Sequence, residues 1–296
     1  MNKKNQVSII VLSIALLAGV AAFIGIFLHV GNGTFVYQSI RGHDVVIYGK
    51  GLYQHMPADV AVQGIAQDYV TLFIAIPLLL VSLIGYLKKS IRSFFLLSGA
   101  LGYFLVTYLF YTAMGMYNFL FLCYVTLLAL SFFGLFITAR ALELLGNFHF
   151  SEKTPTKAVG GFLMFNAISI AFLWLGIVVP PLIDGSIYPV ELNHFTTLIV
   201  QGFDLGLLLP ICFVIGFLLF RKKRLGYIYS TIYLGFLSLL MTALTAKIIA
   251  MYIVGVNVVP VIFIIPSFNL VTVICTFLMI KNIKAGPSNG MKHTYA

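Results

Sequence analysis

The amino-acid sequence predicts an all-α integral membrane protein with eight transmembrane helices. The composition is 61% hydrophobic and only 9% charged, with a mean hydropathy of +1.05, whereas soluble domains carry about 25% charged residues. The chain also contains eight apolar segments of at least about 20 residues, the length that a helix needs to cross a bilayer. No stretch outside these segments is long enough to bury a hydrophobic core of its own.

The eight apolar segments follow one another at residues 7–30, 67–87, 93–114, 116–139, 158–182, 197–220, 226–253 and 258–280. The first follows Lys3 and Lys4 and exceeds the apolar run of about 7 to 15 residues that is typical of a signal peptide. It also lacks a small-residue cleavage pattern. We therefore interpret it as a retained helix, and the lipid bilayer as the partner of all eight segments.

The distribution of basic residues predicts the orientation, because Lys and Arg prefer cytoplasmic loops. With the N-terminus inside, all 18 basic residues except Arg41, Lys50 and Lys247 fall on the cytoplasmic side. An even number of crossings fits this asymmetry and places both termini in the cytoplasm. The prediction is a multi-pass protein of the cytoplasmic (inner) membrane, whose net charge of +10 reflects topology and not a nucleic-acid partner.

Two helix-forming segments resemble each other when they are aligned on their prolines, Pro77 and Pro210. In both, the first basic residue follows the proline by 11 positions, at Lys88 (88 minus 77) and at Arg221 (221 minus 210). The offset is 133 (210 minus 77), and both prolines should kink their helices. The pattern predicts two parallel four-helix pseudo-repeats related by an axis along the membrane normal.

The predicted organisation follows from this repeat. The first half covers residues 1–143 and includes a long extracytoplasmic loop at 31–66, and the second half covers 158–284. Because the loop is rich in aromatic and branched residues, we expect it to pack as a lid that can hold a short strand pair. The cytoplasmic linker at 144–157 and the cytoplasmic tail at 285–296 are short and polar, and no structure is predicted for them.

Three strings carry a resemblance to a known family. They are Gln-Asp-x-Val-Thr-Leu at 67–72, Gly-Tyr-Phe-Leu-x-Thr-Tyr at 102–108 with Tyr117-Asn118 beyond, and Phe203-Asp204-Leu205 followed by Pro210. In these strings the chain resembles a family of uncharacterised bacterial multi-pass membrane proteins of about eight helices. The similarity covers most of the chain. It implies no activity, so no functional residue is carried over from it.

Three ionisable residues lie inside the apolar segments, where a charge is costly unless it pairs, snorkels or faces water. They suggest a polar pocket that opens outward, floored by Asp204 and Gln201, with Lys247 as the counter-charge and with Asp68 and Thr71 on the facing half. The alternative is an Asp204–Lys247 ion pair that only orders the sixth and seventh helices, with Asp68 at an interfacial helix start.

The third segment presents Tyr103, Thr107 and Tyr111 on one face. Tyr103 follows Arg92 by only 11 positions (103 minus 92), which places it near the bilayer centre. A buried hydroxyl there needs a hydrogen-bond partner, so it either binds a ligand or links two helices. The candidate substrate-binding residues are therefore Asp68, Thr71, Gln201, Asp204, Lys247, Tyr103 and Tyr111.

No catalytic motif is present in the sequence. It contains no Gly-x-Ser-x-Gly elbow, no His-Glu-x-x-His zinc helix and no phosphate loop. The three cysteines show no metal-ligand or redox spacing, and the six histidines lie at segment ends or in loops. We therefore predict no catalytic residue, no metal and no cofactor. The absence of a catalytic motif favours a protein that is not an enzyme.

The leading functional interpretation is a small-solute transporter or a related substrate-binding membrane protein, with a small molecule or a lipid as its ligand. One alternative is a membrane-embedded enzyme that acts on a lipid or lipid-linked substrate at the outer leaflet. Another is a non-catalytic membrane sensor or assembly partner. The sequence distinguishes neither the substrate nor the oligomeric state.

Overall fold

The computed structural model describes residues 3–146 and 148–285 of the 296-residue chain. Within these residues it contains eight helices that are long and apolar enough to cross a membrane. They are α1 (Lys3–Phe27), α2 (Ala58–Leu87), α3 (Ile91–Ala113), α4 (Phe121–Leu144), α5 (Thr156–Val178), α6 (Ile199–Phe220), α7 (Arg224–Ile253) and α8 (Val261–Lys281). The predicted eight-helix, all-α fold class is confirmed.

The largest boundary differences concern α2 and α4. α2 begins at Ala58, nine positions before the predicted start at 67 (67 minus 58). Its first turns mix polar residues such as Asp59 and Gln63 with apolar ones, so they do not form a continuous apolar segment in the sequence. α4 continues to Leu144 and therefore includes Arg140 and Glu143, which form an ion pair of 2.7 Å one turn apart. The predicted segment ended at residue 139 because charged residues follow it. The helix continues past them because a helix can extend beyond the hydrocarbon layer.

The connection between α1 and α2 contains the strand pair expected within 31–66. β1 (Phe35–Gln38) and β2 (Asp44–Ile47) pair antiparallel. The chain then turns back towards α1 at Gly51, whose N–H donates to Val30 O at 2.7 Å and whose φ of +57° favours glycine. We call the end of the bundle that carries this hairpin the hairpin end, and the opposite, lysine-rich end the basic end.

The basic end contains a second strand pair, which the sequence did not predict. β3 (Phe148–Phe150) in the linker pairs antiparallel with β4 (Ile283–Ala285) after α8. Phe148 and Phe150 pack edge-on against Phe95 of α3, with ring centroids 5.5 and 5.9 Å apart. These apolar contacts order a linker that is otherwise polar. The tail after Ala285 lies outside the described residues.

α2 and α6 are interrupted at equivalent positions. In α2 a π-helical turn at Thr71–Ala75 precedes regular helix, and in α6 a π-helical turn at Asp204–Leu208 does the same. The offset is 133 (204 minus 71), the offset that the prolines predict. Pro77 and Pro210 each lack an N–H and crowd the carbonyl four residues earlier. That carbonyl lies inside the π turn in both helices, so the π turn accommodates the proline.

Reciprocal contacts join the two halves of the chain. α3 and α7 cross at Gly99 and Gly235, where a Cβ atom placed on Gly99 would lie 2.9 Å from Gly235 Cα. Arg92, at the start of α3, donates to Lys281 O at the end of α8 at 3.3 Å and to Ile283 O in β4 at 3.2 Å. Arg224, at the start of α7, donates to two carbonyls at the end of α4 at 2.7 and 3.1 Å. The two arginines thus connect helix ends across the bundle, and the pair of pseudo-repeats stays a prediction.

The helix packing departs from twofold symmetry at the contacts of α6. α2 packs along α7, whereas α6, its counterpart, contacts α3 over only a short stretch. One of these contacts is a ring pair between Phe110 and Phe203, with centroids 5.8 Å apart. α6 packs along α5, as α2 packs along α1. The missing helix contact leaves a space between the two halves.

Candidate functional site

A cavity of about 440 Å³ fills the space between the halves, a volume within the usual range for small-molecule sites. It extends from the hairpin end to the middle of the bundle, and α2, α3, α5, α6, α7 and α8 all contribute to its wall. Most of the wall is apolar. Five methionines line it: Met56, Met114, Met116, Met241 and Met251. Because methionine is unbranched and flexible, this wall can adapt to ligands of different shape.

The charged groups of the cavity wall are Asp204 of α6 and Lys247 of α7. Asp204 begins the π turn of α6, and its Oδ2 accepts a hydrogen bond of 2.7 Å from Trp174 Nε1 on α5. Lys247 is half-buried and forms no hydrogen bond or ion pair within the part of the chain that the structure describes. It lies within electrostatic range of both Asp204 and Asp68.

The predicted Asp204–Lys247 ion pair is wrong as a direct contact. No nitrogen–oxygen distance between the two side chains is 4.0 Å or less. Trp174 holds the Asp204 carboxylate from the side of α5, while Lys247 extends from α7. The two opposite charges therefore face the same chamber without touching each other.

Asp68 lies behind the cavity wall and is only 3% exposed. Its Oδ2 accepts from the Tyr53 hydroxyl at 2.6 Å, and its Oδ1 accepts from the Tyr111 hydroxyl at 3.0 Å. A Cβ atom placed on Gly25 of α1 would overlap the carboxylate, so α1 closes the site from behind. Both phenols line the cavity. Two tyrosine hydroxyls thus stand between Asp68 and the chamber.

A second polar cluster joins α2 to α3 beside Asp68. Gln67 Nε2 donates to the Tyr103 hydroxyl at 2.7 Å and to Thr107 Oγ1 at 3.1 Å. Thr71 Oγ1 and the Tyr103 hydroxyl are 2.9 Å apart. The structure places Thr71 and Tyr103 in this helix interface and outside the cavity wall, so the Tyr103 hydroxyl links two helices. Gln201 also lies outside the cavity wall, on α6.

The deep end of the cavity, near the middle of the bundle, carries Asn166 of α5 and Tyr233 of α7. Tyr233 donates to Leu208 O at 3.0 Å. Asn166 is 2% exposed, and its Oδ1 has no hydrogen-bond partner among the described residues. A buried polar atom without a partner is costly, so a ligand donor or a water at this point would lower the free energy of the site.

Sequence reasoning missed four residues at this site: Tyr53, Trp174, Asn166 and Tyr233. Trp174 is the single tryptophan of the chain and lies inside an apolar segment, which was a usable signal because an indole N–H in lipid needs an acceptor. Asn166 was a similar signal. Tyr53 gave none, since only the return of the loop onto α1 brings it beside Asp68.

The fold and the site together define a class: a multi-pass helical membrane protein with a ligand-sized chamber between two groups of helices. No group of three or more His, Cys, Asp or Glu that could hold a metal ion lies within the described residues. The chain matches no protein-family model, no curated protein and no solved structure. The function is therefore argued from the cavity itself.

Proposed function

We propose that this protein binds a small amphipathic solute in the cavity and transports it across the membrane. The observation that carries the proposal is the separation of Lys247 and Asp204 across the chamber. An ammonium without a partner inside a membrane is costly, and a ligand that places an anionic group beside Lys247 would remove this cost. The apolar, methionine-rich wall would hold the rest of the ligand.

The chemistry of the wall defines the ligand class. Lys247 requires an anionic group, such as a carboxylate. Asp204 accepts from one donor within the described part of the chain, Trp174 Nε1, and can accept a further donor such as an ammonium from the ligand. We therefore propose a solute with an anionic or zwitterionic head and an apolar body, which points from the charged pair towards Asn166.

Transport, and not only binding, is supported by the interrupted helices. The π turn of α6 contributes Asp204 and Leu208 to the cavity wall, and π turns occur frequently at functional sites. Irregular backbone at membrane depth is tolerated where it lines a cavity, as in transporters. The alternative of an enzyme that uses Asp68 and Asp204 in one lipid-accessible groove has less support, because only Asp204 lines the cavity.

Binding can be measured without a label, because Trp174 is the single tryptophan and contacts Asp204. Purified protein in lipid nanodiscs is titrated with leucine as the zwitterion, octanoate as the anion and octylamine as the cation. We expect leucine or octanoate to change the Trp174 emission, and octylamine to leave it unchanged. Lys247→Met should abolish the response, and Lys50→Met, a lysine in the α1–α2 connection outside the cavity wall, should not. Equal responses of the Lys247→Met variant and the wild type would contradict the proposal.

Transport is then tested with the probe that binds. In proteoliposomes preloaded with unlabelled probe, the wild type should accumulate radiolabelled probe by exchange, and Lys247→Met should not. Binding without exchange would contradict transport and leave a substrate-binding membrane protein as the function.

For the orientation, we propose that the hairpin end faces the outside of the cytoplasmic membrane and the basic end the cytoplasm. The support is the preference of Lys and Arg for cytoplasmic loops. Single cysteines on a cysteine-free background test this with an impermeant thiol reagent on intact cells. Labelling from outside is expected at residues 50, 116, 188 and 256 and is not expected at 90, 152, 222 and 290. The reverse pattern would contradict the orientation.

A further inference from the structure

The Asp68 carboxyl and its two phenols can form a complete hydrogen-bond network when the carboxyl is ionised. Tyr53 then donates to Oδ2 at 2.6 Å, and Tyr111 donates to Oδ1 at 3.0 Å. Each carboxylate oxygen receives one donor, and each phenol uses its one proton. Hydrogen bonds to charged acceptors of this kind stabilise the ionised form.

The same side-chain positions also form a complete network when the carboxyl carries a proton. Asp68 Oδ2–H would donate to the Tyr53 oxygen, and the Tyr53 hydroxyl would donate to the Tyr111 oxygen, 3.1 Å away. The Tyr111 hydroxyl would then donate to Gly64 O, 3.3 Å away. Only hydroxyl hydrogens rotate between the two networks, because a phenol can both donate and accept.

We infer that Asp68 is a proton-binding site that exchanges one proton with the cavity through Tyr53 and Tyr111. Both phenols line the cavity, whereas Asp68 does not. The Tyr111 hydroxyl hydrogen first turns from Asp68 Oδ1 to the Tyr53 oxygen. A proton arriving from the cavity then bonds to the Tyr111 oxygen, Tyr111 passes its own proton to the Tyr53 oxygen, and Tyr53 passes its own proton to Asp68 Oδ2. The carboxylate plus one proton becomes a carboxylic acid, and both phenols end neutral. No oxidant, reductant or second reactant is needed.

The groups around Asp68 explain why this proton matters to the cavity. The segment before α2 contributes Tyr53, and α4 contributes Tyr124. α3 contributes three tyrosines: Tyr103, Tyr108 and Tyr111. α1 contributes Gly25, which does not titrate. Among the described residues, the only cation in electrostatic range is Lys247 of α7, which also faces Asp204 of α6.

Protonation of Asp68 therefore changes the charge that Lys247 experiences. When Asp68 is ionised, one ammonium faces two carboxylates, and the group of three charges sums to −1. When Asp68 is protonated, the sum is zero, and Lys247 is free to hold an anionic ligand group. This step rests on the proposed function: proton and anion would bind together, and linkage requires each to strengthen the binding of the other.

The test of the proton site uses the protein without ligand. Infrared difference spectra of the protein in nanodiscs, recorded between mildly alkaline and mildly acidic pH, should show a carboxylic acid band that Asp68→Asn removes. The matched control Asp184→Asn replaces a fully exposed aspartate and should keep the band. A pH-indicator dye should count one fewer proton bound by Asp68→Asn. An unchanged band and an unchanged proton count in Asp68→Asn would overturn the inference.

Two further variants keep the test valid if Asp68→Asn does not fold. Tyr53→Phe and Tyr111→Phe retain the carboxyl but each remove one hydrogen bond to it. Each should shift the frequency of the band, and Tyr111→Phe should also slow proton exchange with the solvent. The control Tyr117→Phe, at a tyrosine that is 79% exposed, should do neither. If Tyr53→Phe and Tyr111→Phe behave like this control, Asp68 is not the proton site.

The coupling to ligand is tested separately with octanoate. The wild type should bind octanoate roughly tenfold more tightly at the acidic end of the pH range, a typical size for coupling between two sites. Asp68→Asn should show no such pH dependence. A pH dependence that persists in Asp68→Asn would overturn the coupling while leaving octanoate binding intact. If neither octanoate nor leucine binds, the proposed ligand class fails, and the infrared result still decides the proton site.

Discussion

The π turns of α2 and α6 share one backbone geometry and have opposite surroundings. In α2, Thr71 is 1% exposed, and its hydroxyl lies 2.9 Å from the Tyr103 hydroxyl. In α6, the equivalent Asp204 is half-buried, lines the cavity and accepts from Trp174. α2 is covered by α1, α3 and α7, whereas α6 lacks the matching contact along α3.

This comparison separates what a repeated backbone determines from what its neighbours determine. A proline after a π turn displaces the helix axis in the same way in both halves. The helix that covers each π turn determines whether its polar side chain forms a hydrogen bond between helices, as Thr71 does, or lines the cavity, as Asp204 does. In the proposed mechanism the closed half holds the proton at Asp68, and the open half holds the ligand at Asp204 and Lys247.

The largest expected effect tests whether the α2 side is closed. Gly25→Ala places a Cβ atom on the Asp68 carboxylate and should lower the free energy of unfolding by about 2 kcal/mol, as overpacking does. Gly202→Ala on α6 meets no atom within 4 Å and should raise it by up to about 1 kcal/mol through helix propensity. Denaturant titration in detergent micelles measures both.

A control for Gly25→Ala exists on the same helix. The Cβ atom of Gly19→Ala would lie 3.8 Å from Ile76 Cδ1, an ordinary contact, so this variant should behave like Gly202→Ala. If Gly25→Ala is as stable as Gly19→Ala, the α1 helix does not close the Asp68 site, and the contrast between the two halves is wrong.

The second prediction compares the equivalent residues directly. Thr71→Val removes a buried hydroxyl that contacts Tyr103 and should cost about 1 to 1.5 kcal/mol of unfolding free energy. Asp204→Asn should cost less than about 0.5 kcal/mol, because its amide oxygen still accepts from Trp174 and its other atom faces the cavity. The same titration measures both variants. A larger loss for Asp204→Asn would indicate that the α6 side is the better packed one.

The third prediction concerns access to the two π turns. Ala75 and Leu208 are equivalent (208 minus 75 is 133), and both are buried, but only Leu208 lines the cavity. On a cysteine-free background, Leu208→Cys should react with a small hydrophilic thiol reagent roughly tenfold faster than Ala75→Cys, because reaction at Ala75 requires local opening of packed helices. Equal reaction rates would show that the cavity does not admit the reagent.

The smallest expected effect lies at the hairpin end, where the β1–β2 hairpin contacts the α5–α6 connection. The His194 ring lies edge-on against Tyr37, with centroids 5.8 Å apart. Burial lowers the pKa of His194 from its ordinary value of 6.5. A lowered folded-state pKa means that this contribution to stability is fully present above pH 6.5 and is lost as the pH falls through the folded-state pKa.

Hydrogen exchange of the hairpin amides measures this effect. Protection should fall slightly as the medium becomes acidic, and His194→Phe should remove the pH dependence, because phenylalanine keeps the ring contact without the titrating group. If the His194→Phe variant keeps the same pH dependence, another group is responsible.

The sequence by itself determined the eight helices and the interruption of two of them. Apolar length is sufficient for the first, because a helix is the only way for a single segment to satisfy its backbone in lipid. Pro77 and Pro210 mark the positions of the interruptions, because a proline removes an N–H from the helix. A proline alone does not fix the π geometry, since α8 contains Pro266 and has no π turn. The resemblance to a family of uncharacterised membrane proteins stays a prediction.

Only the tertiary structure decided which side chains meet at the site. A helix in lipid is apolar on its outer and inner faces alike, so periodicity does not tell which face of α6 or α7 points inward. The separation of Asp204 from Lys247 depends on Trp174, and the position of Tyr53 beside Asp68 depends on a loop that folds back. These contacts join segments that are distant in sequence, and local propensity contains no information about them.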